Sequence, residues 1–351
     1  MLNLRGRPVD TVTVLMSDAP ARADAPAPAE TGAAPRNDAV VALDGVHRRF
    51  GDTPALAGLS FAVPKESITV LLGPNGAGKT TCTRVITGAL GPDAGAVRVF
   101  GLDPSVDGEE VRRRCGIVSA KPALYDRLSG WDNLAYAAEL YGLGRGAGAR
   151  ARIGEASERF GITGALDAQV GGYSTGMKTR LALARSVLHE PELLLYDEPT
   201  SGLDPESSHA VLELIREMTD DGRTVVMCTH LLVEAEGLAD QVVMLQDGRS
   251  LIDGPPGELV RRFWPDDAVE IDAEDRSGLR MVGGLPGVLA VTGGERGPAT
   301  VAVESFDRIP DLVDALTAAG VRLTRVRHSL EDLYFAVRRT SGDNRIGEVQ
   351  P

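Results

Sequence analysis

Three short apolar runs organise the chain: Ile68 to Leu72, Glu192 to Tyr196 and Thr224 to Thr229. Their near-continuous hydrophobicity predicts buried strands of an open α/β sheet, where ligands collect at the carboxyl ends. Each run stops at residues that carry chemistry. The first opens into Gly73-Pro74-Asn75-Gly76-Ala77-Gly78-Lys79-Thr80-Thr81, the second into Asp197-Glu198, and the third into His230. Amphipathic spacing predicts helices over Thr81 to Leu90, Arg180 to Leu188, and along Val211, Leu214, Ile215 and Met218. A short helix at Gly108 to Arg114 precedes a strand at Gly116 to Ser119. Ser129-Gly130-Trp131-Asp132 reads as a capping box opening a helix to about Tyr141, and a polar helix follows over Ala149 to Phe160. The stretch from about 120 to 190 therefore reads as a helical insertion into the α/β core.

Val40 to Val46 and Leu59 to Val63 pattern as paired strands, Ala96 to Phe100 as another, and Gln241 to Leu245 with Ser250 to Ile252 as a hairpin around Asp247-Gly248. Beyond Leu259 the character changes. Strands at Ala268 to Ile271, Val288 to Val291, Thr300 to Val303 and Val321 to Val326 alternate with a helix marked by Ile309, Leu312, Val313 and Leu316. A last helix, marked by Leu330, Leu333, Tyr334 and Val337, opens at Ser329 and Asp332. The expected organisation is an Ala/Pro-rich disordered tail over 1–38, a main α/β domain over 39–260, a small α+β domain over 265–339 and a loose tail over 340–351.

With 351 residues, 43% of them hydrophobic, the chain can bury two cores. Its net charge of -13 argues against a nucleic-acid binder that neutralises phosphates; the short basic run Arg112 to Arg114 reads as a solvated helix face. Cys82, Cys115 and Cys228 lack any C-x-x-C spacing, which disfavours a disulfide framework or zinc site and suits a reducing cytoplasm. Cys82, in the first turn of the predicted helix, reads more readily as core than as a reactive thiol. No apolar stretch reaches the roughly 18 to 20 residues of a membrane helix. Asp10 interrupts the only leader-like start, so no secretory leader is expected, and Met16 serves equally as a first residue.

Strand, glycine-rich loop and helix in that order make residues 73–81 an anion cradle rather than a chance turn. Lys79 is placed to reach β- and γ-phosphates, and Thr80 to ligate Mg²⁺. Adjacent carboxylates after a leucine run fit poorly as an unpaired strand end. Beside a phosphate loop, Asp197 reads as part of a Mg²⁺ shell and Glu198 as the group that polarises an attacking water. Ser174 and the N–H groups behind it point at something anionic. Phe50, before the Gly51-Asp52 turn, could stack on a base or fill core; position alone leaves both open. His230 is as readily a surface histidine as a catalytic one.

Taken together, GPNGAGKTT, YSTGM, LLLYDEP, SGLD and MCTH, in that order, resemble the nucleotide-binding subunit of ABC transporters over Ala39 to Leu259. The resemblance implies two copies facing each other with ATP between the phosphate loop of one and Ser174 and Gly176 of the other. It also implies that Phe50 stacks on adenine, that Asp204 makes a cross-dimer contact and that His230 positions the γ-phosphate. The implied fold is a P-loop NTPase of ABC type with a helical subdomain. The implied protein is an ATPase using Mg-ATP, peripheral at the cytoplasmic face of the membrane, that drives an exporter through a separate integral membrane permease. The ending HSLEDLY is similar to the C-terminal extension of drug, sodium and polysaccharide-related exporter subunits, which points to a drug, antibiotic or other hydrophobic cargo.

Two motifs depart from the family pattern. Tyr173 and Thr175 stand where Leu and Gly are usual, and Ala120, in Val118-Ser119-Ala120-Lys121-Pro122, stands where a glutamine is expected. Alanine cannot ligate a metal or hold a water, which raises an alternative: a dimer that holds ATP with little turnover. A second alternative, a soluble ABC-type ATPase on ribosome or DNA, conflicts with the single phosphate loop and the acidic charge.

Overall fold

The computed structural model describes residues 39–263, 268–273, 281–293, 299–303, 309–318 and 323–327, with Tyr334 and Val337. β1 (Ala39–Phe50) and β2 (Thr53–Pro64) form an antiparallel hairpin, followed by β3 (Ile68–Leu72) and α1 (Lys79–Ile86). β4 (Ala94–Val99) returns to pair with β1, completing a three-stranded sheet ordered β2-β1-β4. After α2 (Gly108–Arg113) and β5 (Cys115–Val118), the chain leaves the sheet for α3 (Gly130–Leu140), α4 (Ala147–Arg159) and α5 (Thr175–Val187). It returns through β6 (Leu193–Asp197), α6 (Pro205–Asp220), β7 (Thr224–Thr229), α7 (Leu232–Leu238), β8 (Gln241–Gln246), β9 (Arg249–Gly254) and α8 (Pro256–Phe263).

The central sheet has the order β5-β6-β7-β3-β8-β9, parallel except at β9. All residues of β3, β6 and β7 are buried, and their side chains divide by parity between two cores. Ile68, Val70, Leu72, Leu194, Tyr196, Val225 and Met227 face the core shared with the helical insertion. Leu71, Leu193, Leu195, Val226 and Cys228 face the core under β1, β2, β4 and α1. This two-sided burial is the reason the strands read as unbroken apolar runs, and each large side chain so buried contributes about 1.5–3 kcal/mol.

The sequence-derived boundaries shift at several elements, β1 and β2 among them running on to the Gly51-Asp52 turn. α1 stops at Ile86 rather than Leu90, because Gly88 turns the chain at φ +66°. α5 begins at Thr175, not Arg180, with Ser174 as its N-cap. At α3 the capping box is half formed: Ser129 Oγ accepts the Asp132 N–H at 3.0 Å, but the Asp132 carboxylate accepts the Ser129 hydroxyl rather than its N–H. Arg112 and Arg113 lie on an exposed helix face, as read, and all three guanidinium groups of the run are engaged there. Arg113 pairs with Glu109 and Glu110, Arg112 donates to Thr87 O, and Arg114 pairs with Glu192 while lying 3.7 Å over the Phe100 ring.

In the C-terminal part, β10 (Ala268–Ala273), β11 (Val288–Gly293), β12 (Ala299–Val303) and β13 (Leu323–Arg327) form an antiparallel sheet ordered β11-β12-β10-β13, with α9 (Ile309–Ala318). Ile271, Val282, Val301, Leu312 and Leu316 share a core of their own. Tyr334 and Val337 pack instead against the core of the main domain. The remainder of the predicted last helix, including Ser329 and Asp332, and both predicted tails lie outside the described residues.

Candidate functional site

The loop after β3 is braced from two sides. Ala77 O accepts the Gly248 N–H at 3.1 Å, and Gly248 O accepts that of Ala57 at 2.8 Å. Gly78 caps α1 at φ +106°, and a Cβ there would sit 2.6 Å from Ala55 O, so only glycine lets the chain pass. Gly73, Ala77, Gly78 and Lys79 are buried, Pro74 and Thr81 half-buried, and Asn75, Gly76 and Thr80 exposed. The first N–H groups of α1 have no acceptor within the helix, which leaves this rim electropositive. Lys79 Nζ donates to Gly73 O at 2.7 Å and to Pro74 O at 3.3 Å.

Parallel pairing brings the acids to the same rim. Asp197 ends β6, 6% exposed, and its Oδ2 accepts the Thr80 hydroxyl at 2.7 Å. Asp197 registers with Cys228 of β7, so Glu198 falls beside His230. Glu198 has φ +53°, a left-handed conformation that costs a non-glycine residue about 1–3 kcal/mol and is concentrated at functional sites. Its Oε2 lies 2.8 Å from His230 Nδ1, and in the Nδ1–H tautomer that nitrogen donates a hydrogen bond to the ionised carboxylate. Its Oε1 is buried without a hydrogen bond, 3.4 Å from Lys79 Nζ. A loop lysine, a hydroxyl, two carboxylates and an imidazole from three separate segments thus converge.

Ser174, Gly176 and Asp204 form a second group. Ser174 Oγ accepts the Met177 N–H at 3.2 Å. A Cβ on Gly176 would lie 3.8 Å from Ser207 Oγ and 3.9 Å from Leu203. Asp204 caps α6, accepting the Ser207 hydroxyl and N–H, which hold its carboxyl below the usual range. Among the described residues no hydrogen bond or ion pair joins this group to the phosphate loop. Phe50 is 48% exposed beside the β1–β2 turn, with the Arg48 guanidinium 5.4 Å from its ring centroid, so the core-filling alternative is removed. Ala120 is exposed just beyond β5, whose Val118 pairs with Tyr196, and so lies at the same sheet end as Asp197.

Sequence reasoning overlooked Glu234, a buried acid on α7 that accepts the hydroxyls of Thr200 and Thr229. The available signal was a glutamate following so soon after His230 in a segment otherwise apolar enough to be half buried. Overlooked too was the outer face of the insertion, where Tyr125, Leu128, Tyr136, Leu140 and Tyr141 are exposed and Tyr125 meets Tyr136 edge to face at 5.3 Å. Cys82, Cys115 and Cys228 are all buried and joined in no disulfide, Cys82 in the core as expected.

Comparison with known proteins gives a consistent result. A family model described as ABC transporter matches residues 56–201. The chain is 36% identical over 317 residues to the daunorubicin resistance ATP-binding protein DrrA3 of Streptomyces coeruleorubidus, covering 89% of this chain and 99% of that one. It is 36% identical over 220 residues to the ABC transporter ATP-binding protein NatA of Bacillus subtilis (strain 168), covering 61% and 89%. Among solved structures, one described as an ATP binding subunit of an ABC transporter superposes with a TM-score of 0.59 at 30% identity, covering 64% of this chain and 93% of that one.

Proposed function

The chain belongs to the ABC transporter family as an ATP-binding subunit with ATPase activity, and from that premise we propose that two copies sandwich and hydrolyse Mg-ATP to drive export of a hydrophobic cargo through a separate membrane permease. The observation that carries the hydrolytic part is the position of Glu198, with one oxygen on His230 and the other buried, without a hydrogen bond and ion-paired with Lys79. Residues 73–81 cradle the phosphates with backbone N–H groups, and Lys79 turns from the loop carbonyls to the β- and γ-phosphates. Glu198 takes the proton of the attacking water. His230 holds that carboxylate through Nδ1–H and, as the imidazolium, donates its Nε2–H to the γ-phosphate.

The residues fit a magnesium ion. Thr80 Oγ1 and Asp197 Oδ2 are hard oxygen donors already 2.7 Å apart. Mg²⁺, when bound, supplies positive charge against the β- and γ-phosphate oxygens, and Thr80 and Asp197 would hold it.

Phe50 offers its exposed ring to adenine. Ser174, Gly176 and Asp204 act on the nucleotide and loop of the opposite copy, consistent with their separation from the phosphate loop in their own chain. The permease docks on the exposed face bearing Tyr125, Leu128 and Tyr136 beside the Ala120 loop, an aromatic-rich patch of the kind that interfaces use. No helix among the described residues is long and apolar enough to cross a membrane, in keeping with a peripheral subunit at the cytoplasmic face. The drug-resistance name of the Streptomyces relative supports export of a drug-like cargo.

Ala120 favours one other reading, an ATP-holding dimer with little turnover of its own. Steady-state hydrolysis by the parent, Glu198→Gln and Ala120→Gln separates the two. Activity lost in the first variant and little changed in the second supports a working motor. An idle parent restored by glutamine at 120 supports the holding dimer.

A further inference from the structure

Glu234 is 7% exposed and stands in the first turn of α7, outside the groups assigned to ATP. Its two oxygens serve two different segments. Oε1 accepts the Thr200 hydroxyl, and Thr200 lies two residues beyond Glu198. Oε2 accepts the Thr229 hydroxyl at 2.7 Å, and Thr229 immediately precedes His230. The Thr229 oxygen in turn accepts the Leu231 N–H at 3.0 Å, so this one side chain fixes the backbone on both sides of His230. A buried carboxylate is tolerated only when its oxygens are paired, and here both are paired with uncharged donors that have no other call on it.

We propose that Glu234 is a positioning residue that yokes the segment leaving Glu198 to the loop carrying His230, so that the Glu198–His230 contact is preset before ATP arrives. The inference rests on the roles proposed above for those two groups. It needs an acceptor on both oxygens: a glutamine side chain keeps the volume but accepts on one atom and donates from the other. In Glu234→Gln, one threonine must turn its hydroxyl round or lose its partner, and the two segments uncouple.

The test uses the full chain and reads the His230 imidazole directly by ¹⁵N–¹H NMR, with His230→Ala identifying its signals among the five histidines. Glu234→Gln is expected to move the His230 nitrogen shifts and titration midpoint. It should also lower kcat about tenfold or more while leaving the ATP dissociation constant within about twofold. Combined with His230→Ala it should add no further loss, as for residues acting as a unit. Unmoved His230 signals, a parental kcat, or losses that multiply in the double variant would each overturn the proposal. Thr200→Val and Thr229→Val remove one hydroxyl each and are expected to reproduce the same pattern, which keeps the test decisive where Glu234→Gln fails to fold. The two readings stay distinguishable: if Glu198→Gln hydrolyses ATP like the parent, the assigned catalytic role falls, whereas the His230 signals still report whether Glu234 positions that loop.

Discussion

The amino ends of α1 and α5 make an instructive pair. Both follow a turn of small residues and present N–H groups that the helix itself cannot satisfy. Around α1, Lys79, Thr80, Asp197, Glu198 and His230 converge from separate segments of one chain. Around α5, the Ser174 hydroxyl oxygen accepts the Met177 N–H and Lys178 pairs with Asp126 at 2.9 Å, and among the described residues no hydrogen bond or ion pair joins Ser174 to the catalytic candidates around α1. On the function proposed above, one end is a whole site and the other is half of one. Like geometry at a helix terminus therefore does not fix its role; the groups that the rest of the fold delivers do.

Removing the group that defines the complete end should have the largest effect. Glu198→Gln is expected to lower kcat about a hundredfold or more with ATP binding retained, measured as steady-state turnover beside equilibrium ATP titration. Parental turnover would strip α1 of its special standing. Next in size is a complementation experiment on the incomplete end. Lys79→Ala and Ser174→Arg should each be inactive alone. Mixed in equal amounts, they should recover about a quarter of parental turnover, because half the pairs are mixed and each mixed pair contains one intact composite site. No recovery would mean that Ser174 serves its own chain.

Phe50→Ala is expected to weaken ATP binding about tenfold, the scale of one lost aromatic stack, with Phe50→Trp close to the parent; competition between ATP and GTP would show whether the base is what the ring touches. The smallest effect concerns the far end of α5. There His189 stacks on Tyr141 at 3.6 Å and donates to Cys115 O, and burial holds its pKa below the ordinary histidine value. The unfolded chain binds that proton more readily than the folded one. The contribution of His189 to stability is therefore fully present above about pH 6.5 and is lost progressively as pH falls below it. His189→Gln should flatten that decline in thermal melts recorded across the same range.

How much of this could be read from sequence follows from where the information lies. β3, β6 and β7 were legible because burial on both faces makes a short unbroken apolar run, and the phosphate loop because strand, glycines and helix are contiguous. α5 was read five residues short: Thr175 to Thr179 carries no apolar periodicity, and its start is signalled only by the cap at Ser174. α7 is hidden in the pattern because its inward face includes Glu234, an acid in place of an apolar residue. Phe50 could not be resolved in advance, since a ring that fills a core and a ring that faces solvent look alike until the turn beside it is placed. The convergence of Glu198, Lys79 and His230 is a property of strand order, and no single segment encodes it.

The parity with which the central strands divide their side chains has a practical consequence. Cys82, Cys115 and Cys228 all fall in the compartment between the two sheets, where burial raises every thiol's pKa, that of Cys115 to about 12. The exterior of the chain is thus chemically silent toward thiol reagents. A cysteine introduced at Tyr136 or Val233 would carry a fluorophore or spin label without background, and the native three would report, by their sudden reactivity, the moment that one compartment comes apart while the other can still be watched.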